Sequence, residues 1–141
     1  MNIQRLRKFF ILAVVSLFLV PLLAACGGSG AINASLTEDY KIQLSKTTAK
    51  AGSITFHVTN NATDLNHEFV IVKTDLQAAD LPLNSDGNVD ETKLDIIGRV
   101  PQLEPGKSQD LTVDLAAGHY VIMCNLPGHY AQGMYTDFSV Q

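Results

Sequence analysis

From Glu38 onward the apolar residues recur at every second position rather than every third or fourth, and no other feature restricts the fold as strongly. Ile54, Phe56 and Val58 alternate with Thr55, His57 and Thr59. Further short runs follow at Phe69–Val72, Leu94–Ile97, Leu111–Leu115, Tyr120–Met123 and Tyr135–Val140. They are rich in β-branched and aromatic residues, which suit strands. Turn signals part them: Ala51-Gly52, Asn60-Asn61, Ser85-Asp86-Gly87, Glu104-Pro105-Gly106 and Ala117-Gly118. The pattern predicts an all-β antiparallel sandwich of about seven or eight strands. One short helix is expected near Asp75 to Leu81, stopped by Pro82, within a polar excursion over 75–93 that is read as mobile and without chemistry.

The first part of the chain has a different character. Arg5-Leu6-Arg7-Lys8 precedes an almost wholly apolar stretch from Phe9 to Leu23, and Leu23-Ala24-Ala25 sets small residues before Cys26. Positive, apolar and small-residue segments in that order are the pattern of a secretory signal, here expected as a helix. The apolar run is short for a membrane span, although an uncleaved N-terminal anchor stays open. Leu23-Ala24-Ala25-Cys26 resembles the lipobox of bacterial lipoproteins, which implies cleavage before Cys26 and lipidation of its thiol. Gly27-Gly28-Ser29-Gly30 reads as a flexible tether. The expected division is therefore a signal peptide over 1–25, the lipidated cysteine and tether over 26–37, and a folded domain over 38–141. That domain is expected to be exported and anchored on the extracytoplasmic or periplasmic face of the membrane.

Charge follows the same division. From Cys26 onward the chain has 7 basic and 14 acidic residues, a net of −7, which argues against a nucleic-acid partner. Of the 2 cysteines, an acylated Cys26 leaves Cys124 alone in an oxidising compartment. A Cys26–Cys124 disulfide and an inert buried thiol are the alternatives to a working Cys124.

The segment Cys124-Asn125-Leu126-Pro127-Gly128-His129-Tyr130-Ala131-Gln132-Gly133-Met134 holds three soft or borderline ligands at C-x4-H-x4-M spacing. Period two sets Tyr120, Ile122 and Cys124 on one face of their strand, read as the core face, and His119, Val121 and Met123 on the other. Pro127-Gly128 turns the chain so that His129 returns towards the sulfur, and Gly133 bends it before Met134 opens the last strand. His67, at the start of the run His67–Val72, is the natural fourth ligand. His57, His119 and Met123 are read as non-ligands.

These residues resemble those of the cupredoxins, the type 1 blue copper proteins. The loop is more similar to those of rusticyanin, sulfocyanin and auracyanin than to that of plastocyanin. The resemblance implies a cupredoxin-like Greek-key β-sandwich and one type 1 copper ion bound by His67, Cys124, His129 and Met134. Two imidazoles, a thiolate and a distant thioether are independently the blue-copper donor set. Zinc is the rival metal, but structural zinc sites rarely use Met. Several cupredoxins carry Asn after the first histidine; here Glu68 stands there, and Asn66 and Asn125 are candidates to replace its tie between ligand loops.

The implied function is single-electron transfer at the outer membrane face, without enzymatic activity. The implied partners are the membrane, through the lipid, and a redox protein: a respiratory or photosynthetic complex, or an oxidase. The alternative is copper delivery, buffering or resistance. A copper enzyme needs further copper centres, for which the 4 histidines leave little room.

Overall fold

The computed structural model describes residues 30–141. The signal helix, the lipobox and Cys26 lie outside the described residues. Among those described, no helix is long and apolar enough to cross a membrane.

Nine strands among the described residues form two packed sheets. They are β1 Ile32–Leu36, β2 Ile42–Leu44, β3 Thr48–Ala49, β4 Gly52–Asn60, β5 His67–Lys73, β6 Asp95–Leu103, β7 Ser108–Leu115, β8 Gly118–Met123 and β9 Tyr135–Val140. One sheet has the order β2-β1-β4-β7 and the other β3-β9-β8-β5-β6. Strands therefore occur where the period-two runs lie, and the fold is the expected all-β sandwich.

Three details differ from expectation. First, β1 occupies Ile32–Leu36, inside the segment read as tether. Its residues Ile32, Ala34 and Leu36 alternate into the core and pair with β4, so burial orders them although glycines precede them. Second, the sheets are mixed: β1 runs parallel to β4, and β3 parallel to β9. The chain leaves the first sheet at β3 and returns as β4, and such a crossover permits parallel pairing.

Third, Asp75–Leu81 forms no helix; the short 3-10 turns lie instead at Glu91–Lys93 and Tyr130–Gln132. A segment this short cannot nucleate a helix unaided, and its amides are claimed elsewhere. Ala78 N donates to Asp137 Oδ1 at 3.0 Å, and Leu81 N to Tyr130 Oη at 3.2 Å.

Two apolar clusters flank the five-stranded sheet. Between the sheets, Phe56 packs against Phe69 and Phe138, each with ring centroids 5.4 Å apart, amid Ile54, Ile71, Tyr120 and Ile122. On the outer face, Val70, Val72, Val121 and Met123 are covered by Ala78, Leu81 and Val89 of the 75–93 excursion. The excursion is thus a fitted cover, and it explains why β5 reads as a continuous apolar run: both faces are buried.

Candidate metal centre

Buried polar anchors deliver His67. Asn60, the last residue of β4 and fully buried, donates from Nδ2 to the carbonyls of Leu65 (2.8 Å) and Leu103 (2.9 Å), and its Oδ1 accepts from Ala62 N (3.0 Å). Those bonds shape the connection to β5, whose first residue is His67. Cys124 directly follows β8, on the core face with Tyr120 and Ile122 as its alternation required.

The loop from Cys124 closes on itself. Cys124 N donates to Met134 O at 3.0 Å, and Met134 N to His129 O at 3.2 Å. Gly128 and Gly133 take left-handed backbone at φ 82° and φ 89°, on either side of His129 and the 3-10 turn that follows it. A side chain at Gly133 would oppose the turn that brings Met134 back beneath Cys124.

The four residues named from sequence converge. One donor atom each from His67, Cys124 and His129 lie within 4.8 Å of one another. His67 Nδ1 is 3.1 Å from His129 Nδ1, which is 3.4 Å from Cys124 Sγ. Met134 is fully buried and positioned with them as the fourth member of a copper site.

Burial dominates the chemistry of these groups. It pushes the Cys124 thiol up from 9.0 to about 11, with the Glu68 carboxylate adding to the rise. Burial also holds both imidazoles below their ordinary 6.5, and in His67 the neighbouring His129 lowers it further. The rings are therefore neutral at pH 7, ready to ligate.

With their protons on Nε2, the two imidazoles turn both Nδ1 lone pairs, 3.1 Å apart, into the same small space as Cys124 Sγ. His67 Nε2 is buried without a hydrogen-bond partner, the one such orphan among the described buried side chains. A cation among the two nitrogens and the sulfur would take up those lone pairs, and ligation through Nδ1 would set each ring's proton on Nε2. Two imidazoles, a thiolate and a thioether select copper among biological metals. The site fits one type 1 copper ion.

Glu68 forms the tie that the sequence left open. Its own N–H points at Cys124 Sγ (3.4 Å), and its Oε1 accepts from Asn125 N at 2.9 Å. Arg99 donates to Glu68 Oε2 at 2.7 Å and also pairs with Glu91. Asn125 Nδ2 donates to Glu91 Oε1 and to Val89 O, and its Oδ1 accepts from Val89 N. Of the two asparagines considered, Asn125 joins the tie. The carboxylate of Glu68 does what a neutral amide does elsewhere, at the expense of recruiting Arg99.

The excluded candidates stand apart. His57 pairs with Asp110, and His119 bonds to Thr74 O and Asp137. Met123 is buried in the outer cluster. Cys124 makes no disulfide among the described residues. Tyr130 turns inward, its hydroxyl donating to Ala78 O at 2.7 Å. Sequence reasoning missed Asn60, Tyr40, Glu91 and Arg99; only the Asn60-Asn61 turn signal hinted at the first.

The family model of the sulfocyanin (SoxE) domain matches residues 18–141. No curated protein gives a significant match. Among solved structures, the chain is similar to dithionite-reduced auracyanin from the photosynthetic bacterium Roseiflexus castenholzii. That match has 29% identity and a TM-score of 0.61, over 82% of this chain and 99% of that one. Auracyanin A, a "blue" copper protein from Chloroflexus aurantiacus, matches at 23% identity and TM-score 0.57, over 79% of this chain and 98% of that one. Reduced rusticyanin matches at 20% identity and TM-score 0.58, over 79% and 78%. The latter two likenesses concern the fold.

Proposed function

Since the chain belongs to the sulfocyanin (SoxE) domain family of blue copper cupredoxins, we propose that it carries single electrons between redox proteins at the outer face of a membrane. The observation that carries this reading is the meeting of His67, Cys124 and His129 donors within 4.8 Å, with buried Met134 completing the set. Bound copper supplies a one-electron couple.

The protein's part is to hold the ligands so that little moves when charge changes. His67 and Cys124 are set by adjoining strands of one sheet, and Met134 by its backbone bonds to Cys124 and His129. Full burial of His67, Cys124 and Met134 keeps water from reorganising around the site.

Half-buried His129 is the member nearest solvent, with half-buried Leu126 and exposed Pro127 and Ala131 close in sequence. That small apolar area suits brief redox encounters. The acidic domain, at −7 from Cys26 onward, favours a basic partner face and salt-dependent rates. A lipid on Cys26 would keep the domain at the membrane surface, where a respiratory or photosynthetic complex or an oxidase is the partner class.

The test is reconstitution of the protein with Cu(II), read by visible absorption and electron paramagnetic resonance. An intense blue or green band with small copper hyperfine splitting is expected, and Cys124→Ser should abolish the intense band. A pale spectrum with large splitting in the unaltered protein overturns the reading in favour of copper handling. Mass spectrometry of the native protein should find an acylated N-terminal Cys26; an unmodified Cys26 removes the anchor.

A further inference from the structure

Tyr40 is the only non-glycine residue with positive φ among those described, at 58°. A bulky side chain in the left-handed region is a steric outlier, and such strain persists where the surroundings over-determine it and serve a function. The turn between β1 and β2 supplies that over-determination. Tyr40 N donates to Thr37 O (3.2 Å), Thr37 N to Lys41 O (3.1 Å), and Lys41 N to Thr37 Oγ1 (3.1 Å). Glu38 Oε2 accepts from Thr63 N at 2.7 Å and Asp64 N at 3.3 Å, locking the turn to the loop that delivers His67.

The strained backbone puts the Tyr40 ring edge-to-face against both imidazoles. Its centroid is 5.0 Å from that of His129 at an interplanar angle of 85°, and 6.3 Å from that of His67 at 81°. Lys41 reaches on to the far bend of the loop, where a Cβ at Gly133 would stand 3.7 Å from its Nζ. One turn thus touches the loop before His67 and the loop from His129 to Gly133. Glycine or asparagine would satisfy the backbone here without strain.

We propose that Tyr40 is a positioning residue for the copper ligands: its ring, set by the left-handed turn, holds the two imidazoles in their mutual orientation and shields them from water. The inference rests on the assignment of His67 and His129 as ligands of one metal. Neither imidazole can rotate freely while the tyrosine ring abuts both. His129, half-buried on a loop, depends on this contact more than His67, which a strand holds.

The test compares Tyr40→Gly, which relieves the backbone while removing the ring, with Tyr40→Phe, which keeps the ring. Two readouts apply: the rate at which a chelator extracts copper, and side-chain order of His129 in the metal-free protein by carbon-13 relaxation. Expected for Tyr40→Gly are a melting temperature within about 5 °C of the parent and extraction roughly tenfold faster. Its His129 ring should be disordered, and Tyr40→Phe should restore both readouts to within about twofold of the parent. Unchanged extraction and unchanged His129 order in Tyr40→Gly overturn the proposal, as does a Tyr40→Phe protein as fast as Tyr40→Gly. If Tyr40→Gly does not fold, Tyr40→Leu takes its place against the same limits. A parent protein lacking the intense band defeats the copper assignment instead, and the metal-free relaxation measurement still decides what Tyr40 does to His129.

Discussion

The ligand loop from Cys124 to Met134 is held from two flanks by different physics. On one flank stand Glu68, Arg99, Glu91 and Asn125, a hydrogen-bonded network of charges and amides that binds the loop to β5, β6 and the 75–93 excursion. On the other stands the β1–β2 turn, where an aromatic ring on a strained backbone packs against the histidines. The polar flank secures the backbone around Cys124 by directional bonds. The aromatic flank restrains ring orientation by shape, which bonds to the backbone cannot do. A site that must hold both a sulfur and two rotatable rings uses both devices.

The largest break is expected on the polar flank. Arg99→Met leaves Glu68 and Glu91 without their shared cation, two carboxylates near one loop. Arg99 and Glu91 are each about a third exposed, so losing these charged hydrogen bonds should cost about 1.5 to 3 kcal/mol, and chemical denaturation of the metal-free protein should read it. A loss under about 1 kcal/mol would mean that the network is solvated and holds little.

Acid and alkali separate the flanks. A thiol raised from 9.0 to about 11 favours the folded state fully below pH 9 and loses that contribution as pH rises through 11. The loss approaches 2 to 3 kcal/mol at about 1.4 kcal/mol per unit. The imidazoles, lowered from 6.5, work in the opposite sense: their contribution is present above 6.5 and is lost as pH falls through their folded values. Metal-free stability should therefore peak between about pH 7 and 9. The alkaline limb reports on the thiol beside Glu68 up to pH 10, above which the Tyr130 hydroxyl, raised from 10.0 by burial, adds to it; the acid limb reports on the rings beside Tyr40. A profile flat from pH 5 to 11 would contradict the burial of all three.

Tyr130→Phe tests the excursion as a fitted cover. Its hydroxyl serves Ala78 O and Leu81 N, both in buried residues, and losing it should cost about 1 to 2 kcal/mol. Hydrogen exchange should quicken over 75–93 before the rest of the molecule opens. The smallest effect belongs to Glu38→Ala on the exposed edge of the aromatic flank. Faster amide exchange at Thr63 and Asp64 is expected, with global stability unchanged; unaltered exchange there would show that the turn does not restrain the loop before His67.

How far local pattern reached is clearest at particular residues. Alternation located the strands because burial on one face imposes period two, and Cys124 shares the core face with Tyr120 and Ile122 as that period requires. The short C-x4-H-x4-M loop was equally readable, since two glycines and a proline leave few ways to close eleven residues. His67 was named from its place at a strand start, and the fold brought it to the loop. Glu68, however, looked like a departure from the family pattern, because its partner Arg99 lies 31 positions away on β6. The 75–93 excursion looked mobile because its buried contacts, Ala78, Leu81 and Val89, are sparse and aperiodic.

Tyr40 shows the limit most sharply. In sequence it is one aromatic in an acidic turn; its left-handed backbone and its contact with His129 arise only once β1 has paired with β4 and that turn lies over the ligand loop. Period, turn chemistry and ligand spacing are short-range properties, so the order of residues alone carried the β-sandwich and the donor set. Which side chains orient and insulate those donors depended on contacts across tens of residues, created by sheet packing and by burial of charge, and these exist only in the folded molecule.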